Sequence, residues 1–212
     1  MVAPAFLTFE GLDGSGKSTQ LALLAEALRA RGDRVVATRQ PGGTALGERI
    51  RELVMASAPS PETELALMCA SRAQCVGEVI EPGLQAGAWV LCDRFHDATE
   101  AYQGGGRGMD RAAIRELHRL LCGDLQPRLT LILDLAPETS LARARALPSA
   151  SRFESETADF FERVAAAYRD IAAREPQRCR LVAADGTPAQ VAARVQAALR
   201  ERLAWEAMPR VG

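Results

Sequence analysis

Asparagine is absent from this 212-residue chain, and lysine occurs only once among its 26 basic side chains. Without asparagine, the chain cannot carry the N-K-x-D signature with which GTPases bind guanine. The single lysine, Lys17, lies in the stretch 11-GLDGSGKST-19. Every other basic position is arginine, so position 17 has a requirement that arginine does not meet.

The chain also has little net charge, −1 at pH 7. The chain has no net positive charge to attract nucleic acid, so any anionic partner must be bound by a local cluster of basic side chains. We therefore expect no nucleic-acid partner.

The cysteines are five in number and show neither a CxxC pair nor a spacing typical of zinc sites. This pattern favours free thiols in a reducing compartment, and we expect a cytoplasmic protein. The N-terminal stretch has no basic segment and only a short apolar run, so we expect neither a signal peptide nor a membrane span.

Short apolar runs without alternation predict strands that are buried on both faces, and the stretches between them have helical periodicity. The sequence therefore predicts an α/β fold, a five-stranded parallel sheet with helices on both faces, in a single domain over residues 1–212. Polar or glycine residues follow each run, and in such sheets ligands bind at the carboxyl ends of the strands. The predicted strands are Phe6–Glu10, Val35–Arg39, Trp89–Asp93, Leu129–Asp134 and Arg180–Ala184.

The segment Gly11–Ser18 matches G-x-x-x-x-G-K-[ST] between a predicted strand and a predicted helix over 17–31, which is the context that a phosphate-binding P-loop requires. Glycines let backbone N–H groups converge on an anion, and the helix N-terminus adds partial positive charge. The ammonium of Lys17 is a compact point charge that fits between phosphates where a planar guanidinium would not. The hydroxyl of Ser18 is the predicted magnesium ligand. The predicted nucleotide-binding residues are Gly11, Leu12, Asp13, Gly14, Ser15, Gly16, Lys17, Ser18 and Thr19.

A second anion site is indicated by Arg72. On a helical wheel of residues 61–80, this arginine lies at the centre of an apolar stripe formed by Leu65, Met68, Cys69, Val76, Val79 and Ile80. A buried arginine needs a partner. Two interpretations are open: a structural ion pair with a buried carboxylate, or a side chain that faces a ligand cavity.

Arg94 ends a central strand, and Arg39 and Arg51 lie near the end of the neighbouring strand. Several guanidinium groups around one crevice fit an acceptor that is itself a phosphate. Such an acceptor already carries an anionic oxygen nucleophile, so transfer needs alignment and charge neutralisation rather than a general base. The two histidines, His96 and His118, then need no catalytic role, and we expect His118 on a helix surface.

At this point the chain resembles bacterial-type thymidylate kinases over nearly its whole length. The resemblance implies a P-loop nucleoside monophosphate kinase fold, transfer from ATP to dTMP giving ADP and dTDP, a requirement for Mg²⁺, and a homodimer. The motifs that carry it are 10-EGLDGSGKST-19, 38-TRQPGGT-44, 68-MCASRAQ-74, 93-DRFHDATEAYQGGGRG-108, 123-GDLQPRLTLILDL-135 and the basic lid segment at about 143–156.

The resemblance also implies roles for individual residues in binding dTMP. Asp13 would accept a hydrogen bond from the sugar 3′-hydroxyl, Arg94 and Arg51 would hold the acceptor phosphate, and Arg72 would reach a carbonyl of thymine. Thr99 and Gln103 would read the base edge, and Tyr102 would disfavour ribonucleotides by crowding the 2′ position.

The chain departs from the family pattern at several positions. Met68 replaces an aromatic that stacks on thymine, and Gln40 replaces a glutamate near the magnesium or the acceptor. Leu147 and Ser151 replace an arginine and an aspartate of the lid. Gly14 stands where another branch of the family has an arginine, so charge on the transferred group must be neutralised from the lid. The predicted catalytic residues are Lys17, Arg94, Arg143, Arg145 and Arg152.

These departures leave two alternatives to dTMP phosphorylation. The chain could be a P-loop kinase for another pyrimidine monophosphate. It could also be a nucleotide-binding module that has lost catalysis.

Overall fold

The computed structural model describes residues 4–57, 59–146 and 156–203, and its centre is a five-stranded parallel sheet in the order β2-β3-β1-β4-β5. The predicted α/β fold is confirmed, and each predicted strand agrees with an observed one to within one residue at either end. The strands are β1 Phe6–Gly11, β2 Val35–Arg39, β3 Trp89–Asp93, β4 Leu129–Asp134 and β5 Cys179–Ala183.

The helices connect successive strands and cover both faces of the sheet. They are α1 Lys17–Ala30, α2 Ala45–Ala56, α3 Pro61–Cys75, α4 Glu81–Gln85, α5 His96–Thr99, α6 Arg111–Cys122, α7 Pro137–Arg145, α8 Ala158–Arg174 and α9 Pro188–Leu203, with wider π-helical turns at Val76–Ile80 and Glu100–Gly106. None of those in the described ranges has the length and apolar character needed to cross a membrane.

Alternation along β1 divides the core between the two faces of the sheet. Leu7 and Phe9 are fully buried and belong to a cluster with Leu28 of α1 and Leu199 of α9. Phe6 belongs to a cluster on the opposite face. Complete burial of a side chain such as Phe9 stabilises the fold by about 1.5–3 kcal/mol.

Helix α3 begins at a defined signal and ends earlier than its periodicity predicts. The Ser60 hydroxyl accepts a hydrogen bond from the Thr63 backbone N–H at 3.3 Å, and Pro61 occupies the first turn. Residues 61–80 do not form one α-helix, because the π-helical turn follows Cys75. The whole helical stretch nevertheless places Arg72 on its buried side, as the apolar stripe predicts.

The strand registers bring the carboxyl ends of neighbouring strands together. Phe9 of β1 pairs with Asp93 of β3, and Gly11 pairs with Leu133 of β4. The loops after β1, β2 and β3 therefore open at one edge of the sheet, where parallel α/β sheets bind ligands.

The five cysteines are all free and buried. Their burial raises the pKa of the thiols, that of Cys179 to about 12. The thiols are therefore neutral and act as small apolar side chains in the core.

Candidate active site

The loop after β1 curves around the N-terminus of α1. Gly11, Gly14 and Gly16 have φ angles of 127°, 80° and 92°, a backbone region that residues with a Cβ seldom adopt. The helix begins at Lys17, directly after Gly16. These turns direct backbone N–H groups and the positive end of the helix toward the same point.

The polar side chains of this loop are directed inward. Lys17 is 6% exposed, and its Nζ donates to the Leu12 carbonyl oxygen at 2.7 Å. Burial, and then the charge of Arg94, lower the pKa of Lys17 to about 8. The Ser15 hydroxyl is buried and has no hydrogen-bond partner within the described part of the chain. An anion seated in the loop would satisfy this hydroxyl and raise the pKa of Lys17 again.

Helix α7, which leads into the lid, packs directly on the P-loop. The Ser140 hydroxyl donates to the Asp13 carbonyl oxygen at 2.6 Å. A Cβ added at Gly14 would overlap the Ser140 carbonyl oxygen and lie 2.8 Å from the Ala144 nitrogen. The structure therefore leaves no space for an arginine at position 14.

Ser18 and Asp93 come together at the mouth of this loop. The Ser18 hydroxyl donates to Asp93 Oδ2 at 2.5 Å. The sequence analysis used Asp93 only as the end of a strand, although a carboxylate beside a P-loop serine is a hard oxygen ligand of the kind that Mg²⁺ prefers. No group of three or more histidine, cysteine or acidic side chains arranged for a metal occurs in the described ranges.

Arg94 is held in a strained conformation at the centre of the site. Its φ angle of 71° is unusual for a residue with a side chain. Its guanidinium donates to Asp13 Oδ1 at 2.5 Å, to the Gly11 carbonyl at 2.9 Å and to the Tyr102 hydroxyl at 3.1 Å. Burial opposes ionisation of Asp13, but Arg94 and Lys17 outweigh it, so the pKa of Asp13 is lowered.

A buried carboxylate lies behind Arg94. Glu10 accepts from the Phe95 backbone N–H at 2.6 Å and from the Tyr168 hydroxyl at 2.8 Å. Burial, and then the negative charge of Asp97, raise the pKa of Glu10 to about 7. Tyr168 also contacts Arg94 at 3.2 Å, so Glu10 and Tyr168 together hold the arginine in place.

The Arg72 cavity lies between α3 and the helical segment after β3. Arg72 donates from Nε to Gln40 Oε1 at 3.0 Å and from Nη2 to the Phe95 carbonyl at 3.3 Å and to the Thr99 hydroxyl. All of the residues predicted to bind the acceptor line this one cavity, namely Asp13, Gln40, Arg51, Met68, Arg72, Arg94, Thr99, Tyr102 and Gln103.

The contacts of Arg72 decide between its two interpretations. All of these hydrogen-bond acceptors are neutral, and within the described ranges no carboxylate pairs with the guanidinium. A structural ion pair is therefore not what holds Arg72. Its place in a cavity wall supports the ligand-facing interpretation.

The sequence analysis missed the environment of Gln103. Its Nε2 donates to Glu64 Oε1 at 2.7 Å, and Glu64 pairs with Arg107 at 3.3 Å. Glu64 is 1% exposed and precedes Met68 and Arg72 at four-residue spacing on one face of α3. That spacing was visible in the sequence, but a glutamate in the first turn of a helix is ordinarily solvated.

The P-loop cavity lies beside the Arg72 cavity. Asp13 to Thr19 line it, whereas Gly11 and Leu12 are not among the described residues that line it and instead contribute carbonyl oxygens to Arg94 and Lys17. Arg143 also lines it. Arg145 is exposed and is not among the described residues that line this cavity. Arg152 and lid positions 147–155 lie outside the described residues.

The expectation that His118 lies on a helix surface is wrong. His118 is 4% exposed and stacks on His96, with 4.4 Å between the ring centroids. Burial, and then the nearby His96, lower the pKa of His118 to about 3, so the ring is neutral at physiological pH. Ile114 and Cys122 flank His118 at four-residue spacing on α6 and are buried with it. This apolar face was the signal in the sequence that the histidine is buried.

Comparisons with known proteins agree with this geometry. The family model described as thymidylate kinase matches residues 9–195. The thymidylate kinase of Synechococcus sp. (strain JA-2-3B'a(2-13)) is 51% identical over 199 residues, with 93% of this chain and 95% of the relative covered. That of Pseudomonas fluorescens (strain SBW25) is 51% identical over 197 residues, with 92% of each covered.

The chain belongs to the thymidylate kinase family. The crystal structure of thymidylate kinase from Ehrlichia chaffeensis matches with a TM-score of 0.78 at 35% identity, covering 93% of this chain and 99% of that one. The family membership confirms the resemblance drawn from the motifs and the P-loop kinase fold. The chain is a nucleoside monophosphate kinase.

Proposed function

We propose that this chain transfers the γ-phosphoryl group of ATP to the 5′-phosphate of dTMP, giving ADP and dTDP for deoxythymidine triphosphate synthesis. One observation carries the proposal: the P-loop cavity and the Arg72 cavity share a wall made of Asp13, Gln40, Arg51 and Arg94. The two cavities therefore adjoin at residues that include two guanidinium groups. A donor phosphate in one cavity and an acceptor phosphate in the other would meet there, aligned for direct transfer.

The P-loop cavity fits the donor nucleotide. It is the larger of the two cavities, as expected if the triphosphate binds here and the monophosphate binds there. Donor phosphates would satisfy the buried Lys17 ammonium and the Ser15 hydroxyl, which has no hydrogen-bond partner among the described residues. Ser18 and Asp93 would hold Mg²⁺, which when bound neutralises charge on the donor phosphates.

The Arg72 cavity fits the acceptor. Arg72 lines this cavity, where it would donate to a pyrimidine carbonyl, and Met68 would contact the ring through its thioether. Asp13 and Tyr102 are held together by a 3.2 Å hydrogen bond beside the expected position of the sugar. Arg51 and Arg94 would bind the 5′-phosphate.

Transfer then requires no general base. The acceptor oxygen is anionic, so the new O–P bond forms as the bond between the γ-phosphorus and the β–γ bridging oxygen breaks, and the electron pair leaves with ADP. Arg94 is fixed by Asp13, Gly11 and both tyrosines, so it meets developing charge without reorganising. Arg143, Arg145 and Arg152 are the proposed lid donors.

An ADP-release assay across dTMP, dUMP, dCMP, UMP and dGMP tests the proposal. We expect dTMP to have the highest kcat/KM. Preference for another monophosphate would support the alternative acceptor, and nucleotide binding without turnover would support the module that has lost catalysis.

We also propose that the chain is one P-loop kinase domain with its lid at about 143–156, acting as a cytoplasmic homodimer. Leu46 and Leu53 of α2 and Leu120 and Leu121 of α6 are exposed, 73% in the case of Leu120. Apolar side chains that are exposed in one chain can be buried between two copies of it. Light scattering after size exclusion tests the dimer, and Leu53→Glu should shift it toward monomer.

A further inference from the structure

The orientation of the Gln103 amide in the Arg72 cavity is set by a residue that lies outside the cavity. Gln103 lines the cavity, whereas Glu64, to which its Nε2 donates at 2.7 Å, does not. Both side chains are almost fully buried, 2% and 1% exposed. Water therefore does not compete for this contact.

The chemistry of the pair allows only one arrangement of the amide. A carboxylate oxygen only accepts hydrogen bonds, so the amide NH₂ of Gln103, and not its oxygen, must face Glu64. Arg107 stabilises the negative charge by donating from Nε to Oε1 at 3.5 Å and from Nη2 to Oε2 at 3.3 Å. The carbonyl oxygen of Gln103 is left as the group available to a ligand.

Arg72 supplies the complementary group. Of its five N–H donors, Nε contacts Gln40, and Nη2 contacts Phe95 and Thr99, while Nη1 has within the described part of the chain only a 4.0 Å contact with the Cys69 sulfur. The cavity thus offers a donor from Arg72 and an acceptor from Gln103.

We propose that Glu64 is a positioning residue that fixes the amide of Gln103 and so selects pyrimidines that carry N3–H and O4 over cytosine. This inference rests on the proposed function, because it names the feature of dTMP that the acceptor site reads. Thymine and uracil present an O4 acceptor, whereas cytosine presents an N4 amino donor there and an unprotonated N3. Cytosine would therefore face like groups at both positions.

Glu64→Gln tests the mechanism because an amide at position 64, unlike the carboxylate, can also donate to Gln103. Arg107 does not lock the new amide in one orientation, since it contacts both Glu64 oxygens and also pairs with Glu156 at 2.7 Å. Gln103 can then turn its own oxygen toward an NH₂ at position 64 and present its own NH₂ to the cavity. That arrangement suits the N3 acceptor of cytosine.

The experiment measures kcat/KM and calorimetric affinity for dTMP and dCMP with the full chain. We expect Glu64→Gln to lower the dTMP to dCMP ratio by at least about ten-fold, since unpaired buried polar groups dominate such discrimination. Absolute efficiency with dCMP should rise while the KM for ATP stays unchanged. Loss of stability alone would lower kcat/KM for dTMP and for dCMP by the same factor and leave their ratio unchanged.

Glu100→Gln is the matched control. Glu100 is also 1% exposed and pairs with Arg115 and Arg174 at 2.9 and 2.8 Å, but it does not line the cavity. Its substitution should leave the ratio unchanged. Glu64→Asp is the second variant: it keeps a charge for Arg107 but is too short to hold Gln103, so the ratio should fall without a gain for dCMP.

An unchanged ratio in whichever position-64 variant folds would overturn the inference. Wild-type protein that neither binds nor phosphorylates dTMP would instead overturn the proposed function, so the two failures are distinct.

Discussion

The contact between the P-loop and the lid helix predicts a large effect of Gly14→Ala. Gly14 has φ of 80°, and a Cβ there would overlap the Ser140 carbonyl oxygen and lie 2.8 Å from the Ala144 nitrogen and 3.1 Å from the Arg143 Cβ. The left-handed backbone costs a residue with a side chain about 1–2 kcal/mol. Displacement of a packed helix adds about 1–3 kcal/mol. We expect the free energy of unfolding to fall by about 2–5 kcal/mol.

Gly32→Ala is the control that separates these two costs. Gly32 has φ of 87°, close to that of Gly14, but apart from its chain neighbours no atom of the described residues lies within 4 Å of its added Cβ. This variant should lose only about 1–2 kcal/mol. Urea unfolding followed by circular dichroism measures both. Equal losses in the two variants would refute the steric reasoning.

The same substitution should reduce catalysis, because α7 carries Arg143 into the P-loop cavity. Misplacement of a charged group by about 1 Å can cost about a hundred-fold in rate. We therefore expect kcat of Gly14→Ala to fall at least about ten-fold at a temperature where the variant remains folded.

Four further substitutions test the assigned roles. Lys17→Met should abolish turnover in the ADP-release assay while circular dichroism shows a folded chain; turnover within a few-fold of wild type would contradict the role of the P-loop lysine. Arg72→Ala should weaken calorimetric binding of dTMP but not of ATP; unchanged dTMP affinity would return Arg72 to a structural role. The wild-type protein should prefer dTMP over dUMP by about ten-fold or more, since a methyl group in an apolar pocket contributes about 1–3 kcal/mol. Arg145→Ala or Arg152→Ala should lower kcat at least about a hundred-fold with little change in dTMP affinity, the pattern of an interaction made in the transition state; if both retain kcat, the lid charge comes from another residue.

Local patterns were enough to predict the sheet and the P-loop. Uninterrupted apolar runs are specific for strands buried on both faces, and Gly11–Ser18 has a spacing that few other structures require. The burial of Arg72 also followed from local periodicity, since the stripe around it lies within one helical stretch.

The partners of the buried polar groups could not be predicted, because they depend on contacts between distant segments. Glu64 and Gln103 are 39 residues apart, and Ser18 and Asp93 are 75 apart. The periodicity of one segment does not indicate which residues of a distant segment will pack against it. The stacking partner of His118, the ring of His96 on another helix, could not be predicted for the same reason, although the apolar face of α6 did indicate its burial.

The pKa of Lys17 predicts how ATP affinity depends on pH. Burial, together with the charge of Arg94, lowers this pKa from 10.5 to about 8 in the absence of nucleotide. Bound phosphates favour the charged ammonium and raise the pKa again, so ATP binds together with a proton when the pH exceeds 8. Affinity should be nearly constant from pH 7 to about 7.5 and then weaken toward ten-fold per pH unit as pH rises above 8. Lys17→Met, which cannot titrate, should bind ATP more weakly at pH 7.5 but show no such decline up to pH 9.5. Parallel pH profiles for the two proteins, measured by calorimetry, would mean that another group titrates.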